Sequence, residues 1–349
     1  MLRFITILFA VILIAQSYIF LSSDSHAKKI SEAKEQIVNI YSSRKEELIK
    51  NLFDKFTEET GIKVNFVTDK AGKLISRLQA EGRNSPADLL LTVDVGNLSY
   101  ASELGLLDDV KSKTLTQNIS EKYRSNNWFG LSVRARPIFY NKEKVKPEQL
   151  STYENLSDPK WKGKILIRSS SNIYNQSLLA SLIEANGLET TEKWANGLVA
   201  NFARKPQGGD TDQLRALAAG VGDVAVANSY YYGRLVASEK EADKKVVEKI
   251  AIFFPNQNDR GAHVNISGGG VLKHAKNRDN AIKLLEFLSS HDAQKFYAEV
   301  NHEYPILADT KLSEIVLSFG KFKQDEIPLS ALSKHRAEVL KIADRAGWR

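Results

Sequence analysis

The 349-residue chain contains no cysteine. Disulfides, thiolate metal sites and thiol catalysis are therefore excluded, as is a lipid carried on a cysteine behind a leader. Histidine is scarce: there are six, none beside a plausible acid–base partner. Ser169-Ser170-Ser171 does not sit in a nucleophile-elbow context, and Gly268-Gly269-Gly270 lacks the Lys-Ser/Thr that would follow a phosphate-cradling loop. The sequence shows no internal repeat, no low-complexity segment and no basic tract interleaved with aromatics. The formal net charge is +7, but Lys and Arg are spread along the chain and mixed with acids. Such a diffuse basic surface suits an anionic ligand, an anionic co-ligand or an acidic docking partner, and not a nucleic acid.

Long apolar runs are also few. One, from Phe4 to Leu21, follows Arg3 and precedes Ser25-His26-Ala27, whose small residues offer a cleavage site after Ala27. Residues 1–27 read as a secretory signal peptide, with an uncleaved anchor as the alternative, since the run is almost long enough to span. The expected mature product is a free periplasmic monomer of about 320 residues with no stable membrane insertion, enough chain for two domains or one large one.

The mature chain opens with an alternation. Ile37 to Tyr41 is rich in strand formers, Lys45 to Thr60 has apolar residues at helical spacing and stops at Gly61, and Lys63 to Val67 is again strand-like. A helix from Gly72 to Gln79 and a buried strand over Asp88 to Val93 follow. Strand, helix, strand, helix, strand predicts parallel βαβ units in an α/β fold. Further strands are expected at 137–140, 164–167, 223–227, 250–254 and 263–271. Helices are expected at 174–186, 189–201, 212–219, 280–289 and 293–300. The charged stretch 239–249 reads as a solvated helix face.

Three tyrosines stand in a row at Tyr230, Tyr231 and Tyr232, beyond the end of the strand at 223–227. Phenol, with an unperturbed pKa near 10, is a poor general base at neutral pH. Phenolate, however, is a hard anionic oxygen donor, and a small, highly charged cation can displace its proton and keep the oxygen. Paired tyrosines at a cleft point to ferric iron; an aromatic patch packing a helix end is the commoner use of such a triplet. Tyr41-Ser42-Ser43-Arg44 also lies at a strand end, where a serine can cap the next helix, and ligands of open α/β sheets bind at such ends.

These residues carry a family likeness. The chain resembles the periplasmic ferric-ion-binding proteins, or bacterial transferrins, that serve iron ABC importers, and the cyanobacterial-type branch in particular. The likeness rests on Tyr41-Ser42-Ser43-Arg44, Ala87-Asp88-Leu89-Leu90, Thr92 to Leu98, Arg134-Ala135-Arg136 before Tyr140-Asn141, Asp158 to Lys164, Asn228-Ser229-Tyr230-Tyr231, His263 to Gly270 and Glu303-Tyr304-Pro305. Each is weak alone; their order and number make the match. The resemblance implies a type II clamshell in which each lobe is a mixed sheet flanked by helices and the ligand sits in the hinge cleft. Lobe 1 would comprise 28–135 with 262–310, lobe 2 would comprise 136–261, and the 311–349 helices would pack on both. It further implies Fe3+ bound by Tyr230 and Tyr231, a third ligand at Tyr174, local packing for Tyr232, and delivery to an ABC importer permease. Many relatives carry a histidine directly after the Tyr-Ser-x-Arg motif, where this chain has Lys45-Glu46. Glu46 and Tyr41 are the further metal candidates from that side.

Three phenolates would neutralise Fe3+ and leave positions for carbonate, a small carboxylate or water, and such a hard oxygen set suits Fe3+ over Zn2+ or Cu2+. Arg44 and Arg136 are candidates to hold that anion through paired guanidinium hydrogen bonds, with Ser42, Ser43 and Lys45 adding donors and charge at a helix start. A binder of an organic anion or phosphonate with the same architecture is the alternative, since the same arginines would serve it; an enzyme is the more distant one.

Overall fold

The computed structural model describes residues 36–349, so the expected signal peptide lies outside the described residues. In chain order the strands, and the helices of at least eight residues, begin with β1 (Ile37–Ser42), α1 (Lys50–Thr60), β2 (Lys63–Thr68), α2 (Ala71–Glu81), β3 (Leu89–Thr92), α3 (Val95–Glu103), β4 (Phe129–Ala135), β5 (Ile138–Asn141) and β6 (Ile165–Leu166). They continue with α4 (Ile173–Asn186), α5 (Leu188–Ala200), α6 (Asp210–Ala218), β7 (Val224–Val226), α7 (Ser229–Val236), α8 (Glu241–Lys249), β8 (Ile250–Phe253), β9 (Val264–Val271), α9 (Arg278–Leu288), α10 (His291–Glu299) and α11 (Arg336–Arg345).

Two sheets result. One has the order β2-β1-β3-β9-β4 and the other β6-β7-β5-β8. β1 pairs in parallel with β2 and β3, as the alternation predicts, but β9 runs antiparallel to both β3 and β4, so the first sheet is mixed. In the second sheet β6 and β7 are parallel and β5 is antiparallel to its neighbours. The chain therefore crosses between sheets twice, from β4 to β5 through Arg136-Pro137 and from β8 to β9. The two crossings are hydrogen-bonded, Arg136 N donating to His263 O at 3.0 Å. The buried Tyr153 hydroxyl ties both, donating to Arg136 O at 2.8 Å and accepting from His263 N at 3.1 Å.

Local chemistry explains the elements. α1 buries Leu52, Phe53 and Phe56 on one face and ends at Gly61, whose φ of 70° suits a residue without Cβ. The helix expected to start at Lys45 instead begins with a 3-10 turn at Glu46–Leu48 and becomes α-helical at Lys50. The glycines of β9 mark close approach: a Cβ on Gly268 would lie 2.5 Å from the Phe129 carbonyl oxygen, and one on Gly270 2.6 Å from that of Asn127. Beyond α10, a short helix at Ala331–Lys334 packs on both α3 and α4, and α11 packs on α4 and α5. Among the described residues no helix is long and apolar enough to cross a membrane.

Candidate functional site

β7 leads directly into Asn228 and α7, which places Tyr230 and Tyr231 in the first turn of a helix. Asn228 is at the N-cap, yet its side chain does not cap: its Oδ1 accepts from Arg136 Nη1 at 2.8 Å, while its backbone N–H donates to Asp210 Oδ2 at 2.8 Å. Tyr174 occupies the first turn of α4, where Asn172 Oδ1 caps by accepting from Tyr174 N at 3.1 Å. The two helix starts converge. The Tyr174 and Tyr230 hydroxyls are 3.3 Å apart, and the Tyr230 and Tyr231 rings lie 4.2 Å apart at 30°. Both helices thus turn their positive ends toward the three phenols, which favours negative charge there. Tyr232 turns away to pack between Phe139 and Phe319, with centroids at 5.4 and 5.9 Å.

Arginines surround this cluster. The Arg134 and Arg136 guanidiniums sit 5.6 and 5.9 Å from the Tyr174 ring centroid, and Arg234 sits 5.1 and 5.6 Å from those of Tyr230 and Tyr231. Burial, with Tyr174 and Tyr231 alongside, pushes the Tyr230 phenol well above its ordinary value, and Arg134 acts the other way. Burial, then Tyr174 and Asp210, pushes Tyr231 up to about 12. Tyr230 and Tyr231 are thus neutral by themselves, and a cation that takes their oxygens must displace their protons. Among the described residues no group of three or more His, Asp or Glu side chains forms an alternative metal site.

The residues after β1 lie differently from expectation. Tyr41 is buried with its hydroxyl donating to Glu81 Oε1 at 2.9 Å and the Arg77 guanidinium over its ring, so it belongs to the α2 side of the sheet and not to the phenol cluster. Ser42 Oγ accepts from Arg44 N at 3.1 Å and donates to Arg44 O, whereas Ser43 Oγ accepts from Val93 N at 3.3 Å and keeps its proton to donate. Lys45 and Glu46 are exposed, and Lys45 reaches only Glu47, at 3.5 Å.

Arg44 and Arg136 are both engaged by protein groups through their terminal nitrogens, and the Nε of each is buried without a protein partner. Arg44 donates to Glu303 Oε2 at 2.8 Å and to Ser267 Oγ at 2.6 Å. Arg136 donates to Asp210, to Asn228 and, at 2.5 Å, to Asn175 Oδ1. The reason is solvation: both guanidiniums are almost wholly buried, and a buried charge without a counter-ion is costly, so folding pairs each one. Although burial works against its ionisation, Arg44, Arg134 and Ser132 hold the Glu303 carboxyl below the usual range.

Two arginines close to the phenols escaped the sequence reading. Arg134 donates to Ser267 Oγ at 2.9 Å and to Val93 O, and its Nε is buried without a protein partner; Arg234 Nη2 is likewise unpartnered. Both had a signal. Residues 134 and 136 are two apart at a strand end and share a face, and Arg234 follows Tyr230 by four and Tyr231 by three on one helix.

Comparison with known proteins shows the family. The family model for bacterial extracellular solute-binding proteins matches residues 41–295. The iron uptake protein A1 of Synechocystis is 53% identical over 318 residues, covering 90% of this chain and 88% of that protein. A Trichodesmium structure (IdiA, FutA) in complex with iron and citrate superposes with a TM-score of 0.85 at 53% identity, covering 90% of this chain and all of that one. The ferric binding protein of Campylobacter jejuni gives a TM-score of 0.86 at 43% identity, with 89% of this chain covered. The chain belongs to the bacterial extracellular solute-binding protein family, within the group that holds the iron uptake proteins.

Proposed function

We propose that this protein captures Fe3+ in the periplasm through the phenolates of Tyr174, Tyr230 and Tyr231 and hands it to an ABC importer permease. The observation that carries this reading is the meeting of three phenol oxygens at two helix starts inside a ring of arginines. The cargo displaces one proton per phenolate, and three phenolates balance its charge. The relatives named for iron uptake and ferric binding support the cargo, and the citrate in the Trichodesmium complex supports a small anion completing the coordination. We assign that anion to Arg134 and Arg234, which among the described residues have no carboxylate within salt-bridge distance, and not to Arg44 and Arg136, which are paired with Glu303 and Asp210. We assign no ligand role to Tyr41.

The test is a titration of the mature protein with Fe3+, with and without bicarbonate or citrate, read by visible absorbance. A phenolate-to-iron charge-transfer band that saturates at one equivalent is expected. Absence of the band, or its full retention in the Tyr230→Phe, Tyr231→Phe double variant, would overturn the assignment. The arginine surroundings also favour a second reading, an organic anion or phosphonate as cargo; calorimetric titration with 2-aminoethylphosphonate in the absence of metal separates the two.

A further inference from the structure

We propose that Asp94 is a positioning residue for the phenol cluster, tying the helix that carries Tyr174 to the half of the molecule built on the five-stranded sheet. The proposal rests on the ferric reading above. Asp94 follows β3 and caps α3, its Oδ1 accepting from Gly96 N at 2.8 Å. Its Oδ2 accepts from Asn265 Nδ2 on β9 at 2.8 Å and from Ser177 Oγ on α4 at 2.7 Å. Asn265 is itself fixed, its Oδ1 accepting from Val95 N at 2.9 Å and from Ile266 N at 2.8 Å. Two strands of the first sheet thus hold the carboxylate in place, and its second oxygen reaches across to a helix of the other half.

Ser177 lies three residues after Tyr174, so the hydroxyl that Asp94 receives and the phenol of Tyr174 lie on one face of α4. Arg134 occupies the same face, over the Tyr174 ring at 5.6 Å. Packing adds to the bond, since the short helix at Ala331–Lys334 lies against both α3 and α4. Between the starts of α3 and α4 lies a small recess of about 20 Å³, lined in part by Gly96, Ile173, Gln176, Ser177, Leu332 and Arg336. Beside that recess the carboxylate–hydroxyl bond is the direct polar tie between Asp94 and α4. A charge-assisted bond of this kind between buried groups is among the stronger polar contacts. It joins the two halves and belongs to the internal fold of neither, so it bears on their relative position.

Asp94→Asn is the obvious variant but also disturbs the cap of α3. Ser177→Ala removes the crossing bond alone. In the full mature chain, Ser177→Ala should leave the thermal midpoint of the iron-free protein unchanged, lower the charge-transfer absorbance per bound iron, and speed iron release to excess EDTA roughly tenfold. Wild-type absorbance and release in the variant would overturn the proposal while leaving the ferric reading intact. A parallel fall in iron-free stability would also overturn it, by making Ser177 a packing residue only. Failure of the wild type to bind Fe3+ would overturn both readings.

Discussion

The Tyr174 hydroxyl lies 3.3 Å from that of Tyr230, although the two residues are 56 positions apart and start different helices. Tyr174 is held by one helix start and Tyr230 and Tyr231 by another, so losing one hydroxyl leaves the backbone that places the others unchanged. Single Tyr→Phe changes at 174, 230 or 231 should therefore fold normally. Each should weaken Fe3+ binding by more than roughly a hundredfold, since even outer-shell partners of metal ligands cost 10- to 100-fold. Competition with a calibrated chelator measures this, and wild-type affinity in any one variant would remove that tyrosine from the ligand set.

Glu46 occupies an exposed 3-10 turn and forms no part of the buried arginine network. Glu46→Gln should change Fe3+ affinity by less than about twofold, as expected for a solvated carboxylate. A larger loss in the same competition assay would make it the ligand contributed by the first half.

Arg44 and Glu303 form a buried ion pair at 2.8 Å between the loop after β1 and the segment after α10. Arg44→Met leaves the carboxylate uncompensated and should cost about 3–5 kcal/mol in urea unfolding of the iron-free protein. The double variant Arg44→Met, Glu303→Met should recover most of that loss. No recovery would show that the pair is not the source.

Burial, reinforced by Arg260 and Arg136, drives the His263 imidazole down to about 3. A folded-state pKa below the unfolded value near 6.5 contributes stability above pH 6.5 that is lost as pH falls toward 3, because only the unfolded chain takes the proton. Between pH 7 and pH 4 the wild type should lose about 3 kcal/mol more than His263→Gln. Urea midpoints at the two pH values test this, and equal losses would exclude His263 from acid sensitivity.

Gly268→Ala should destabilise by about 1–3 kcal/mol, because its Cβ meets the Phe129 carbonyl oxygen at 2.5 Å and a backbone atom cannot step aside. Gly72→Ala is the control: it lies in α2 with open space around it and should stabilise by about 0.5–1 kcal/mol. A neutral Gly268→Ala would mean that β4 and β9 can part locally.

Much of the fold was legible because its strands and helices keep clean periods, as in the continuous apolar β3 and the amphipathic α1. β4 was not, since Ser132 and Arg134 interrupt its apolar run, yet every residue in it is buried. Those two are tolerated inside because Glu303 accepts from Ser132 at 2.5 Å and Ser267 accepts from Arg134. α3 was missed because Gly96, Asn97 and Ser99 are weak helix formers, and a cap and tertiary packing carry it instead. At the site, the adjacent tyrosines could be read from the sequence alone. The fate of the arginines could not: the counter-ion of Arg44 lies 259 residues away, and only folding shows which guanidiniums are taken.

The Tyr153 hydroxyl has a single proton, and it goes to one chain crossing while the oxygen receives the N–H of the other. With Arg136 N bonded to His263 O as well, the two crossings form a short double ribbon. A ribbon bends about one axis far more easily than its strands slide past each other. Such a hinge would favour a single swing of the halves over sliding, and Arg134 on β4 would then meet the Tyr174 ring in one register.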